Sequence, residues 1–125
     1  MRLLLDTHVA LWFLDDPRLV AEGARDAIEE QGNVTYLSAA SVWEVALKQA
    51  AGRLSLPEPL EVGAQRVGFH ELGVTWAHAR AAAELPPVHT DPFDRMLVAQ
   101  AAEENLVLLT RDPLVTQYPV ATMPA

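Results

Sequence analysis

The chain has 125 residues, half of them hydrophobic, which suits one globular domain with a buried core. It contains no cysteine, so disulfides, thiolate metal sites and cysteine nucleophiles are excluded, and a reducing, cytoplasmic location is expected. The net charge of −8 argues against a broad basic face that would bind nucleic acid. The acid at position 6 argues against a signal peptide, and the shortness of the apolar runs argues against a membrane span.

The first half of the chain predicts strands that alternate with helices. Residues 3–5 are an apolar run that ends at Asp6, as expected of a strand buried on both faces of a parallel sheet. Asp16 and Pro17 are typical of an N-cap and a first helical residue. The predicted elements are strands at 3–5 and 34–37 and helices at 7–14, 17–31 and 38–51.

The second half of the chain is also predicted to contain both strands and helices. Two prolines at 86 and 87 end a predicted helix at 75–85. The predicted elements are helices at about 60–67, 75–85 and 92–104, strands at 69–72, 106–110 and 120–122, and a short helix that starts at Asp112 and Pro113. Strands that alternate with helices predict an α/β fold with a mostly parallel central sheet flanked by helices.

Four acids are predicted at one edge of this sheet, where strands lead into helices: Asp6, Glu44, Asp94 and Asp112. In open parallel sheets ligands bind at the carboxyl ends of the strands. Carboxylates gathered there repel one another unless a cation binds among them, and hard oxygen ligands favour Mg²⁺ or Mn²⁺. Setting these four acids aside leaves 13 acids against 9 bases, so the acidity does not exclude a nucleic-acid substrate.

Each acid also has a structural interpretation. Asp6, Asp94 and Asp112 each stand where a carboxylate can cap a helix or a turn. Glu44 follows Ser41 at the spacing of a capping box. Against this, Glu44 is the only acid between residues 34 and 53, where an unpartnered buried carboxylate is costly. Taken together, the four acids favour a metal site.

Four sequence blocks resemble a known family: LLLDTHVALWFL, SAASVWEVALK, HTDPFDRMLVAQA and LLTRDP. In this order and spacing they resemble the PIN domain, and more narrowly the VapC-type toxin ribonucleases of bacterial toxin–antitoxin pairs. The resemblance implies a single PIN-like domain over residues 1–125, with the family's acids at the four positions above. It also implies Mg²⁺- or Mn²⁺-dependent hydrolysis of RNA phosphodiesters, a cognate antitoxin as inhibitor, and a homodimer.

Five residues beside the acids are predicted to orient them or to contact phosphate. Asp91 precedes Pro92, fixes the start of its helix and lies on the same side of it as Asp94. The hydroxyls of Thr7 and Thr110 can cap a helix or orient a carboxylate. The remaining two, Arg95 and Arg111, can hold phosphate oxygens or pair with the acids.

Other residues near the acids are predicted to be structural. Lone histidines such as His8 and His89 are more often structural than catalytic. The aromatic residues are predicted to form core or dimer contacts: Trp12, Phe13, Trp43 and Trp76. The nearly apolar helix at 39–51 is predicted to form, with the first helices, an antitoxin groove and a dimer contact.

Two other function classes fit parts of the pattern. A haloacid-dehalogenase-type phosphatase also starts with an apolar strand and an Asp, but it needs a second acid where this chain has His8. A non-catalytic protein-binding module would use the acids only as helix caps, and divalent ions would not affect it. If the protein is a nuclease, such ions must affect it.

Overall fold

A five-stranded parallel sheet forms the centre of the protein in a computed structural model that describes residues 1–125. The strands are β1 (Arg2–Leu5), β2 (Val34–Ser38), β3 (His70–Leu72), β4 (Val107–Thr110) and β5 (Thr122–Pro124). They lie in the order β3-β2-β1-β4-β5, and every neighbouring pair is parallel. The sequence-based α/β prediction is therefore confirmed, and the sheet is parallel throughout.

Six helices cover the two faces of the sheet. They are α1 (Thr7–Asp15), α2 (Glu22–Glu29), α3 (Ala39–Ala50), α4 (Leu60–Arg66), α5 (Trp76–Glu84) and α6 (Pro92–Glu104), with short 3-10 turns at Pro17–Leu19 and Val115–Gln117. None of these helices has the length and apolar character that crossing a membrane requires.

The central strand β1 contributes to a hydrophobic core on each face of the sheet. Leu3 and Leu5 pack in a core with Phe13 of α1, whereas Leu4 packs in a second core with Leu97 of α6. Successive strand residues point to opposite faces, so an apolar run of this kind needs cover on both. The carboxyl edge of β1 therefore opens between α1 on one side and α6 on the other.

The prediction of one helix over residues 17–31 is wrong. The chain forms a 3-10 turn at Pro17–Leu19, unwinds at Val20 and Ala21, and starts α2 at Glu22. Val20 is buried in the core, and the N–H of Ala21 donates to the carbonyl of Ala125 at 2.8 Å. This long-range contact outweighs local helix propensity.

Two smaller predictions near the end of the chain are also corrected. The helix predicted from Asp112 is a turn followed by the 3-10 turn at Val115–Gln117, and the last strand lies at Thr122–Pro124 rather than at 120–122. The side chain of Asp112 accepts a hydrogen bond from the N–H of Leu114 at 2.9 Å, which forms the turn. The other elements agree with the prediction to within one or two residues.

The surface differs from the prediction at α3. An apolar groove of about 590 Å³ lies between α1 and residues 54–60, and α3 does not line it. Instead α3 exposes Trp43, which is 61% exposed, and Leu47. Trp76 is 95% exposed and is not a core residue, whereas Phe13 is in the core and Trp12 packs partly buried against it.

Candidate metal centre

The four acids come from four segments that meet at the carboxyl edge of the sheet. Asp6 follows β1, Glu44 lies in the second turn of α3, Asp94 lies in the first turn of α6, and Asp112 follows β4. A cleft of about 360 Å³ opens here, and three of these acids line it: Asp6, Asp94 and Asp112, together with His8, Val9, Trp12 and Arg111. Three of the four predicted acids therefore share this cleft, whereas Glu44 does not line it.

Asp6 is a buried helix cap that also faces the cleft. Its Oδ1 accepts a hydrogen bond from the N–H of His8 at 3.3 Å, and its Oδ2 accepts one from the hydroxyl of Thr110 at 2.7 Å. Burial raises the pKa of Asp6, and these hydrogen bonds only partly oppose that effect. The hydroxyl of Thr110 also accepts from the N–H of Asp112 at 3.1 Å, so this residue orients two of the acids.

Glu44 is not part of a capping box. Ser38 is the N-cap of α3, and its hydroxyl accepts from the N–H of Ala40 at 3.0 Å. The hydroxyl of Ser41 instead lies 2.8 Å from that of Thr7 in a buried pair. Glu44 therefore lies beyond the cap, where no local hydrogen bond of the helix end requires a carboxylate.

The carboxylate of Glu44 is only half satisfied. Its residue is 6% exposed, and Oε2 accepts from the ammonium of Lys48 at 3.1 Å. Its Oε1 is buried and has no hydrogen-bond partner in the protein. A buried carboxylate oxygen without a partner is costly, and a bound cation would remove that cost. This oxygen is the observation that best fits the four acids to a metal ion.

Asp94 experiences the charges of the surrounding acids. Burial, followed by repulsion from Asp6, Asp91 and Glu44, raises the pKa of Asp94 to about 7, although His89 opposes this shift. These acids are thus near enough to disfavour one another's charge. A divalent cation among them would reverse the balance and favour the charged carboxylates.

His89 lies between two of the acids, although a structural role is predicted for it from the sequence. Its Nε2 is 2.9 Å from Oδ2 of Asp112 and 3.1 Å from Oδ2 of Asp94. One ligand atom from each of the three lies within 4.8 Å of the others, and this trio includes neither Asp6 nor Glu44. The only sequence signal for His89 is its position two residues before Asp91 in HTDPFDR.

The pKa of Asp112 reflects opposing effects. Burial pushes the pKa of Asp112 upward, but hydrogen bonds from the N–H of Leu114 and from His89 outweigh it, and the pKa lies below its ordinary value. The surrounding protein therefore stabilises the charged form of Asp112, whereas it disfavours the charged forms of Asp6 and Asp94.

The predicted capping role of Asp91 is confirmed. Its Oδ1 accepts hydrogen bonds from the N–H groups of Phe93 at 2.8 Å and Asp94 at 3.3 Å, and Pro92 is the first residue of α6. Asp91 thus fixes where α6 begins and where Asp94 projects.

The prediction that Arg95 contacts phosphate or pairs with the acids is not supported by its contacts. Its guanidinium donates to the backbone carbonyls of Ala82, Ala83, Leu85, Pro86 and His89 and to the hydroxyl of Tyr118. A planar group with five N–H donors suits such a set of carbonyls. Arg95 therefore holds the chain between α5 and α6.

Arg111 remains at the edge of the cleft. Its Nη2 donates to the carbonyls of Leu19 at 3.0 Å and Ala125 at 2.7 Å, and the guanidinium lies 4.1 Å from the ring centroid of Trp12. These contacts fix the orientation of its positive charge beside Asp6 and Asp112.

The fold and this edge define a class of protein: a parallel α/β domain that gathers carboxylates from separate segments at the carboxyl ends of its strands. The particular family follows from a family model for the PIN domain, which matches residues 3–119. The chain belongs to the PIN domain family.

Known relatives agree with this assignment. The chain is 33% identical over 112 residues to ribonuclease VapC22 of Mycobacterium tuberculosis (strain ATCC 25618 / H37Rv), which covers 87% of this chain and 85% of that protein. The structure of VapBC2 from Rickettsia felis bound to a promoter DNA fragment superposes with a TM-score of 0.73 at 12% identity, over 98% of both chains. That of FitAcB from Neisseria gonorrhoeae has a TM-score of 0.62 at 23% identity, over 99% of this chain and 97% of that one. At these identities, the two structures show a shared fold alone.

Proposed function

We propose that the protein is a metal-dependent endoribonuclease, the toxin of a toxin–antitoxin pair, and that residues 1–125 form one PIN domain. The observation that carries this proposal is the buried, unpartnered Oε1 of Glu44 on the helix beside the acidic cleft. Membership of the PIN family and the similarity to ribonuclease VapC22 support the same activity.

In this proposal four acids hold one or more divalent ions, Mg²⁺ or Mn²⁺: Asp6, Glu44, Asp94 and Asp112. Their ligand atoms are all carboxylate oxygens, which these hard cations prefer. A bound ion of this kind activates water and stabilises charge that develops at a phosphodiester. The protein's own part is to hold the acids: Thr110 orients Asp6 and Asp112, and Asp91 fixes the position of Asp94.

Substrate binding would use the positive charge at the edge of the cleft. Arg111 is fixed over Trp12 beside the acids, and only one nitrogen of its guanidinium donates to the backbone carbonyls described above. The remaining N–H groups can donate to a phosphate oxygen of the RNA backbone. The absence of cysteine is consistent with a cytoplasmic location, where RNA is present.

An antitoxin partner is proposed for the apolar groove between α1 and residues 54–60. Its lining includes Leu11, Leu14, Leu54 and Leu56, so it suits the apolar face of a partner helix. The solved structures of VapBC2 and FitAcB, which share this fold, support an antitoxin partner. This groove, rather than α3, is now the site proposed for the antitoxin.

A homodimer is proposed through the exposed face of α3. Trp43 and Leu47 are 61% and 47% exposed, and Trp43 packs edge-on against Phe93 at 5.3 Å between ring centroids. Sedimentation of the wild type and of Leu47→Glu tests this proposal. We expect a dimer that the charged variant weakens, and a monomeric wild type would contradict it.

The nuclease is tested with total cellular RNA incubated with Mg²⁺, with Mn²⁺ or with a chelator. We expect cleavage only with a divalent ion, and a loss of at least about 100-fold in Glu44→Gln because the ligand charge is removed. Glu29→Gln, an exposed acid on α2, serves as the matched control and should cleave normally. If no RNA is cleaved and neither ion raises the melting temperature, the non-catalytic binding module becomes the better interpretation.

A further inference from the structure

His89 is fixed by hydrogen bonds on both its backbone and its ring. Its N–H donates to the hydroxyl of Tyr118 at 2.8 Å, and its carbonyl accepts from Arg95 at 3.1 Å. Its ring Nδ1 accepts from the N–H of Asp91 at 3.1 Å. With the backbone and Nδ1 held, Nε2 can only point at Asp94 and Asp112.

The partner of Nδ1 determines which ring nitrogen carries the proton. The N–H of Asp91 is a donor, so Nδ1 must accept, and the ring proton of the neutral imidazole lies on Nε2. Nε2 then donates to Oδ2 of Asp112 at 2.9 Å and lies 3.1 Å from Oδ2 of Asp94. A histidine that binds a metal usually donates its other ring N–H to a carboxylate or a carbonyl. Here the other nitrogen faces an N–H group, which is the opposite arrangement.

From this geometry we propose that His89 is a positioning residue of the metal centre and not one of its ligands. Its Nε2–H donates to Oδ2 of Asp112, and Nε2 lies 3.1 Å from Oδ2 of Asp94, so the positive end of this N–H dipole lies between the two carboxylates. This inference rests on the proposed metal-dependent function. Arg95 and Tyr118 then contribute indirectly to the metal centre, because their hydrogen bonds hold the backbone of His89.

The Nε2–H group between the acids is needed because the two carboxylates come from different parts of the fold. Asp94 lies on α6 and Asp112 lies in the turn after β4, and like charges this close repel. A donor between them offsets the repulsion before any cation arrives. The acids are thus held near each other in the metal-free protein, which lowers the cost of binding the ion.

Two substitutions separate donation by Nε2 from the mere presence of a polar side chain. In His89→Gln the amide N–H₂ reaches the position of Nε2 and can donate to Asp112. In His89→Asn the shorter side chain reaches only the position of Nδ1. His70→Gln on β3, at the opposite end of the sheet order, is the matched control. Melting temperatures of all variants show whether each one folds.

Two measurements are made: calorimetric titration with Mn²⁺ and long-range ¹H–¹⁵N correlation spectra of the histidine rings with and without Mg²⁺. We expect His70→Gln and His89→Gln to bind Mn²⁺ within about threefold of the wild type, and His89→Asn to bind at least about tenfold more weakly. The spectra should show a protonated Nε2 and an unprotonated Nδ1 for His89, both before and after Mg²⁺ is added.

The contrary results distinguish failure of this inference from failure of the proposed metal-dependent function. A proton on Nδ1 of His89 when Mg²⁺ is added would indicate coordination through Nε2 and overturn the inference. Wild-type affinity in a folded His89→Asn, or equal loss in His89→Gln and His89→Asn, would also overturn it. If the wild type and His70→Gln both fail to bind Mn²⁺, the proposed metal-dependent function itself fails, and this role of His89 fails with it.

Discussion

The N–H of Asp94 donates to Oδ1 of Asp91 at 3.3 Å, so one carboxylate caps the helix that carries the other. The two acids of DPFD thus have different roles although they are three residues apart. Asp91 positions the start of α6, and Asp94 projects from its first turn toward the cleft.

Substitution of Asp91 separates capping from metal binding. Asp91→Ala should lower the free energy of unfolding by about 1 kcal/mol, because the N–H groups of Phe93 and Asp94 lose their acceptor. Asp91→Asn keeps an acceptor oxygen and should unfold within about 0.5 kcal/mol of the wild type. Urea denaturation measures both. A folded Asp91→Asn that no longer binds Mn²⁺ would show that Asp91 reaches the metal.

Asp94 makes the stability of the metal-free protein depend on pH. The pKa of Asp94 is about 7 in the folded chain, against a usual 3.8, so the folded state binds the proton more tightly. Stability is therefore lost as pH rises through this window. Asp94→Asn should raise the free energy of unfolding by about 1–2 kcal/mol at about pH 8 and should change it little near about pH 4. The first figure is reduced for solvent screening, because the side chain of Asp94 is 20% exposed.

Divalent ions should reverse this order of stability. Ligand at roughly 100 times its dissociation constant adds about 2.7 kcal/mol to the wild type, and Asp94→Asn should gain much less because a ligand charge is missing. Thermal denaturation with and without Mn²⁺ measures both effects. Asp26→Asn, an exposed acid on α2, should behave as the wild type. Equal gains in the wild type and Asp94→Asn would remove Asp94 from the metal site.

Arg95 should be essential for stability rather than for phosphate contact. Arg95→Met leaves the carbonyls around residues 82–89 without their donor and should cost about 3 kcal/mol or more. Arg95→Lys should recover only part of this loss, because an ammonium cannot span the same carbonyls. Guanidinium denaturation tests the ranking. Wild-type stability in Arg95→Met, with RNA binding lost, would instead favour the phosphate role.

The products of cleavage test how the phosphodiester is hydrolysed. If water attacks phosphorus and the 3′-oxygen leaves, the fragments carry a 5′-phosphate and a 3′-hydroxyl. Ligation and end-specific exonuclease assays identify these ends. The 2′-hydroxyl at the cleaved position is then not the nucleophile, so fragments that end in a 2′,3′-cyclic phosphate would contradict the proposed chemistry.

Local sequence signals predicted the elements that local contacts define. The helix α6 was predicted at residues 92–104 and lies at Pro92–Glu104, because an Asp cap and a proline start it and Asn105, at φ 55°, ends it. Three of the four acids could be proposed in the same way, since Asp6 and Asp112 come just after strands and Glu44 lies in the second turn of the helix that follows β2. Asp94 lies on α6, which follows α5 and no strand, so its proposal depended on its place in the first turn of its helix and on the DPFDR motif.

Residues whose roles depend on distant contacts could not be predicted from local sequence. The helix expected at 17–31 breaks because Ala21 bonds to Ala125, and nothing near residue 21 signals that contact. Arg95 meets its carbonyls only because α5 packs on α6. The orientation of His89 depends on Tyr118, which lies 29 residues further along the chain.

The position of β4 beside β1 also determines when the centre can form during synthesis. Leu3, Leu4 and Leu5 pair with Val107, Leu108 and Leu109, so the first strand made stays open on one side until residues 107–109 have been made. Asp112 and Thr110 are made later still. A nascent chain that ends before them holds only three of the four acids. The four acids can therefore come together only after residue 112 has been made, although the first of them is the sixth residue of the chain.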